Sequence, residues 1–279
     1  MIANLEFKKT NFKDKIISVL QSDVRIVQIL LMGTLLSIGV YFRDFSIHPM
    51  QIFLTFCSGL ATHFLWNRIL KIKVAILSTV ITCFGLSLLL RSDLFWIHPA
   101  IVFLAISSKF IIRIRGKHLF NPAMFGVILG ISLFPRTWVS PGQWGFELTI
   151  GIWLLVFGLI VSGRAGISDI SYAFLLFHFL FLAYRIFRFG YQWDVLLHQF
   201  QNGALILFAF FMITDPKTIP DHKIGRILHA FLVAMFSYIW AFVFFKTNPY
   251  IWALFISSPV VIFWDYLLKA EKYKWKLEN

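Results

Sequence analysis

Residues Phe210–Arg226 read FFMITDPKTIPDHKIGR. An apolar run stops at Thr214-Asp215-Pro216, a second proline follows at Pro220, and Gly225-Arg226 closes the stretch. A connection between two membrane helices needs only a turn and some charge. Two prolines, two threonines and an aspartate within the seven residues Thr214–Pro220 specify far more than a turn, and mark the segment as a candidate site.

Composition decides what surrounds it. Hydrophobic residues make up 59% of the 279-residue chain, aromatic residues 18% and charged residues 14%, with a mean hydropathy of +0.78. Soluble domains carry about 25% charged residues, so this chain is predicted to be an all-α integral membrane protein whose first partner is the lipid bilayer. The formal charge is +13, but the cations sit in short runs between apolar segments. That distribution fits loop topology and anionic headgroups and excludes a nucleic-acid surface. The opening MIANLEFKKTNFKDK lacks an apolar core followed by a cleavage site, so no removable signal peptide is expected. Cys57 and Cys83 lie in apolar runs and form no Cys-x-x-Cys pattern. Ser-His-Asp, HExxH, P-loop and GxGxxG arrangements find no support.

A bilayer-crossing helix needs about 20 apolar residues, fewer if it is broken. The sequence offers ten such spans, at 26–42, 50–66, 74–90, 94–112, 121–134, 148–162, 170–184, 196–213, 227–245 and 250–268. Twenty of the 26 Lys and Arg residues fall in the N-terminus, the even-numbered loops and the C-terminus, and six in the odd-numbered loops. The positive-inside rule then predicts a multi-pass protein of the plasma (inner) membrane with both termini cytoplasmic, and places Thr214–Arg226 on the cytoplasmic side.

Three pairs of features recur along the chain. Ser92-Asp93 matches Thr214-Asp215, each followed by a proline; Asn121-Pro122 matches Asn248-Pro249; and Arg43 matches Arg164. The offsets, 122, 127 and 121 residues, are nearly constant. Five helices is an odd number, so the halves are expected to be inverted. The expected organisation is a basic cytoplasmic N-terminus (1–25), a first five-helix repeat (26–134), an outward connecting loop (135–147), a second five-helix repeat (148–268) and a basic cytoplasmic C-terminus (269–279). In such folds the ligand lies near the midplane, where discontinuous helices aim their N-termini at it. The fifth span, of about 14 residues, is the expected broken element, with Asn121 as its cap and Pro122 at its first position. Asp221 is the expected cap of the ninth span.

Phe120-Asn121-Pro122-Ala123-Met124 with Gly126, and Phe210–Pro220 followed by Gly225-Arg226, resemble the two most recognisable segments of the RnfD/NqrB-type membrane subunits. That family holds the D subunit of the Rnf electron-transport complex and the B subunit of the sodium-translocating NADH:quinone oxidoreductase. The resemblance implies a urea-transporter-like fold, a bound flavin, and electron transfer between a redox protein partner and a quinone or a partner redox centre. Those subunits attach FMN covalently through a Ser/Thr-Gly-Ala-Thr motif in the loop between the fifth and sixth helices. Here that loop, FPRTWVSPGQWGFELT, has no such quartet, and Ser58-Gly59-Leu60-Ala61-Thr62 carries an extra residue within the second span. The chain is thus similar to the shorter, stand-alone relatives, and the implied cofactor is non-covalent riboflavin or FMN.

On that reading the cofactor-binding candidates are Asn121, Pro122, Ala123, Gly126, Thr214, Asp215, Thr218 and Arg226. Helix N-termini at Asn121 and near Asp221 would stabilise charge on the reduced ring. Lys217, Lys223 and Arg226 would neutralise a phosphate or meet phospholipid. Asp215 has two readings: an acceptor to the flavin or proton relay, or a residue that caps its own loop and pairs with Arg226. Asp93, Asp169 and Asp265 read as caps or interfacial charges, and Gly126 as close helix packing. Paired axial histidines among His63, His178 and His229 would suit a b-type heme, but no two share a spacing or depth that singles them out. The alternative function is a transporter or channel for a small polar solute or biosynthetic product, without redox chemistry.

Overall fold

The computed structural model describes residues 23–42, 45–72, 74–140 and 148–275. The first 22 residues, Arg43, most of the loop expected at 135–147 and the last four residues lie outside the described residues, as does the Arg43–Arg164 match. Among the described residues the chain is all-α, with 12 helices and two two-stranded ladders.

Each of the ten apolar spans falls on helix. The first half comprises α1 (Val24–Phe42), α2 (Pro49–Leu70), α3 (Leu77–Leu89), α4 (Ile97–Ile111) and α5 (Pro122–Leu133). The second comprises α6 (Leu148–Ala165), α7 (Ser168–Phe189), α8 (Trp193–Phe200), α9 (Gly203–Leu207) continued by a π-helical turn (Phe208–Met212), α10 (Lys223–Phe242), α11 (Pro249–Ser257) and α12 (Val260–Leu267). By length and composition α1, α7 and α10 are candidate membrane spans, and there are up to five if two bent pairs each count as one. Shorter apolar helices make up much of the rest. Several apolar helices of this kind suggest a multi-pass membrane protein.

The broken elements are not where the sequence reading puts them. The fifth span is one continuous 12-residue helix. The eighth bends by 52° between α8 and the segment Gly203–Met212 formed by α9 and the π-helical turn, and the tenth by 49° between α11 and α12. The cause is local chemistry inside apolar runs. Asn202 caps α9 by accepting from the Ala204 amide at 2.9 Å, which ends α8. Pro259 brings no amide hydrogen to continue α11.

Capping elsewhere follows residue type. His48 and Gln51 form a reciprocal capping box ahead of Pro49 at the start of α2. His222, not Asp221, caps α10, its Nδ1 accepting from the Ile224 amide at 3.1 Å.

Packing follows one order in both halves. The first helix packs on the third (α1 on α3, α6 on α9 and the π-helical turn), the second on the fourth (α2 on α4, α7 on α10), and the fourth on the fifth (α4 on α5, α10 on α11). The halves meet through α1 against α6 and α5 against α11. At the latter contact Phe120 and Phe255 stack at 4.7 Å.

Contacts also sort the loops into two ends. At one end the start of α1, the β2–β3 hairpin (Arg113–Ile114 and Lys117–His118), the loop 213–222 and the C-terminal segment come together. Arg25 lies 4.5 Å over Trp275, Lys217 Nζ donates to the Tyr273 carbonyl at 3.2 Å, and Lys117 bridges to Asp221 and Asp265. At the other end β1 (Leu90–Ser92) pairs with β4 (Thr137–Val139), and Asp93 pairs with Arg136.

Candidate functional site

The two motif segments, about 90 residues apart in sequence, line one cavity. Asn121, Pro122 and Ala123 come from the start of α5, and Thr214, Asp215 and Pro216 from the turn after the π-helical segment. Asn121 sits at the head of α5, where its Oδ1 accepts from the Met124 amide at 3.2 Å. Capping leaves its Nδ2 free to point sideways, and it reaches Asp215 Oδ2 at 3.4 Å. The Thr214 hydroxyl donates to the Phe210 carbonyl at 2.6 Å. It satisfies an acceptor left over by the π-helical turn, whose bonds run one residue longer than α-helical ones.

Asp215 reaches the cavity because its loop is fixed. Its Oδ1 accepts from the Lys217 amide at 3.1 Å, its carbonyl accepts from the Thr218 hydroxyl at 3.1 Å, and the residue lines the cavity. Burial pushes its carboxyl above the ordinary carboxylate range, opposed by the Lys217 amide and by the cations of Lys109, Lys217 and Lys117.

The cavity holds about 90 Å³, room for about three water molecules at their liquid share of about 30 Å³ each. Its remaining walls come from α1, α3, α6 and the end of α9 with the π-helical turn, with small residues Gly85 and Ala165 among apolar ones such as Leu88 and Phe211. Ser162, in the α6 wall, is fully buried and its hydroxyl has no hydrogen-bond partner. Such an orphan is a group that a ligand or water would satisfy. Arg25 and Trp275 also line the space; Arg25 is held by Asp23 at 2.7 Å.

Some expected site residues lie elsewhere. Arg226 pairs with Asp169 at 2.8 Å and not with Asp215, and its Nη1 donates to the Asp221 carbonyl at 2.8 Å, so it ties the foot of α10 to α7. The expected Asp215–Arg226 pair is therefore corrected: the guanidinium is already taken by a nearer carboxylate. Gly126 is buried where a Cβ would press on Ala105, Leu86 and Ile101, which makes it a packing residue. Thr218 braces the Asp215 loop without lining the cavity. Asp265 does not occupy a cap position of its helix. It lies inside α12, accepting from Lys117 at 2.7 Å and from the Asp221 amide at 2.9 Å.

Sequence reading missed four contributors. Lys109 is only 2% exposed, near the end of α4, with Nζ 3.4 Å from the Thr79 hydroxyl; the signal is one lysine inside the apolar run LAISSKFII. Arg25 and Trp275 also read as parts of basic tails. Ser162 carries no sequence signal at all. Of the three candidate histidines, His63 bonds Thr79 at 2.9 Å, His178 bonds Tyr250 at 3.3 Å, and His229 is fully buried with neither ring nitrogen hydrogen-bonded. Among the described residues no group of three or more His, Cys, Asp or Glu side chains is placed to hold a metal ion. Comparison of the chain with protein-family models and with curated proteins finds no match.

Proposed function

We propose that the chain is a flavin-binding electron-transfer protein of the plasma (inner) membrane, built from two inverted five-helix halves of the urea-transporter-like, RnfD/NqrB-type kind, with both termini cytoplasmic. The observation that carries the reading is the convergence of Asn121-Pro122-Ala123 and Thr214-Asp215 on one cavity. The repeated packing order, and contact between like elements across the halves, support a pseudo-two-fold relation, since a two-fold axis brings each element against its own mate. The gathering of α1's start, the loop 213–222 and the C-terminal segment at one end supports an N-in, C-in arrangement.

The donor set suits the polar edge of an isoalloxazine. Asn121 has an amide to donate, Ser162 an unpartnered hydroxyl, and Asp215 a carboxyl that keeps its proton to higher pH than an exposed one. The volume sets a condition, because ligand pockets usually hold about 300–1,000 Å³. This cavity takes one edge of the ring, and the whole group enters only if α3 and α6 part along the Gly85–Ala165 wall. A bound flavin supplies one- and two-electron chemistry at its ring. The chain's part is to orient that ring through Asn121 and Ser162, exclude water with Leu88 and Phe211, and hold a proton at the Asp215 carboxyl. A soluble or membrane redox protein is the proposed donor, and a quinone or partner centre the acceptor.

Titration of the detergent-purified protein with riboflavin and with FMN tests this. Fluorescence quenching with saturable binding is expected, weakened about tenfold or more in Asn121→Ala, which loses about 1.4 kcal/mol or more of hydrogen bonding. Absence of saturable binding to either flavin removes the reading. The small cavity volume favours a second reading, passage of a small polar solute, for which solute flux in reconstituted vesicles without bound flavin is the test.

A further inference from the structure

A second cavity, larger than the first, lies at the same end of the molecule and takes no part in the proposed flavin site. It holds about 290 Å³ between the β2–β3 hairpin, Asp221 and α12 with the segment that follows it. The hairpin is tight because Arg115 and Gly116 both adopt positive φ, 53° and 86°, the pairing that a two-residue turn of this hand requires. That turn puts Arg115 on the rim, opposite Lys269 and Lys272, with Lys117 deeper.

The charges do not cancel. Four cationic side chains line the space against two carboxylates, and both carboxylates are already engaged by Lys117, at 3.1 Å to Asp221 and 2.7 Å to Asp265. Lys117 with its two carboxylates keeps one net negative charge, so Arg115, Lys269 and Lys272 at the rim leave the lining with a surplus of two positive charges. Ile114, Leu119, Val261, Ile262 and Leu268 form the apolar walls, with His118 and Ser258 as further polar members of the lining. A space that is cationic at its rim and apolar on its walls suits an amphiphile with an anionic head. The neighbouring face of α12 exposes Phe263, Tyr266 and Leu267 at 53%, 65% and 54%, so acyl chains leaving the cavity would run along a face already apolar.

We propose that this cavity binds a phosphate-bearing anion, supplied by the headgroup of an acidic phospholipid. Basic pockets between membrane helices are a general means of holding such headgroups. Arg115 provides the planar, multi-donor contact to phosphate oxygens, and Lys269 and Lys272 provide point charges. The inference stands whether or not the first cavity binds flavin.

The test uses the full chain in nanodiscs of phosphatidylglycerol and of phosphatidylcholine, and in detergent with inorganic phosphate. Phosphatidylglycerol is expected to raise the thermal midpoint several degrees above phosphatidylcholine. The triple variant Arg115→Gln, Lys269→Gln, Lys272→Gln should lose most of that rise, while Lys246→Gln, an exposed cation away from the cavity, should keep it. In phosphatidylcholine the triple variant and the parent are expected to melt alike, which separates a lost site from a lost fold. Native mass spectrometry of Arg115→Gln alone is expected to show reduced retention of phosphatidylglycerol. Equal midpoints in the two lipids, or a triple variant that keeps the rise, overturn the proposal. A rise produced by inorganic phosphate alone overturns the lipid assignment.

Discussion

Asp215 and His118 are titrated in opposite senses by the same physical cause. Burial raises the Asp215 carboxyl, so the folded state bears a cost that is absent at low pH and grows as pH rises through the folded pKa. Asp215→Asn removes that cost while keeping a polar side chain. Its thermal midpoint at pH 8 is expected to equal or exceed that of the parent, while flavin retention falls; a midpoint several degrees lower would make Asp215 a structural residue. Burial pushes His118 down to about 3, helped by Lys109, Arg113 and Lys217 and opposed by a hydrogen bond to the Lys109 backbone. The folded protein therefore resists taking a proton that the unfolded chain accepts from about pH 6.5. Its effect on stability is nil above that pH and grows as pH falls toward 3, reaching on the order of 1–2 kcal/mol by pH 5. Melting between pH 7.5 and 5 should show a smaller loss in His118→Gln than in the parent. At this scale the sequence exposes Asn121, Thr214 and Asp215 because cap and turn chemistry is local. It hides Lys109 and Ser162, because burial of one polar residue in an apolar run depends on which helix lies opposite.

Elements join through a few ionic contacts at one end. Lys117, on β3, meets Asp221 and Asp265 from the second half, with side-chain exposures of 11%, 8% and 14%. Its Nζ also donates to the Ile219 carbonyl at 2.5 Å. Lys117→Gln removes the cation that directly bridges both carboxylates and is expected to cost about 3 kcal/mol. Adding Asp221→Asn and Asp265→Asn should recover most of it, and failure of that rescue in denaturant or thermal melts would mean that the lysine acts by packing. The existence of ten helical segments is legible in hydropathy, but the breaks are not. Asn202-Gly203 and Ser258-Pro259 sit inside runs whose apolar average carries through them, and only the capping chemistry of Asn202 and the missing amide of Pro259 reveal the bends. The fifth span reads as broken from its shortness, yet Pro122 at its first position starts a helix rather than interrupting one.

For the whole molecule, the helices up to residue 133 and those from residue 148 share a packing order, which the proposed repeat would explain. The motif mates of that proposed repeat are nevertheless unequal. Asn121 caps α5, whereas Asn248 takes a left-handed φ of 56° and forms no side-chain cap; Asp215 faces the cavity, whereas Asp93 pairs with Arg136. The proposed site is thus built from one copy of each motif. Single cysteines placed at Lys246 and at Lys272, with Cys57 and Cys83 replaced, are expected to react with a membrane-impermeant maleimide from outside only at Lys246; the same side for both would refute the proposed topology. The most direct measurement of the central claim is the absorbance and fluorescence spectrum of the detergent-purified protein before and after acid precipitation, with Asp215→Ala beside it. Flavin released into the supernatant by the parent, and depleted in the variant, is the predicted result. A colourless protein that stays colourless with added riboflavin or FMN would contradict the account.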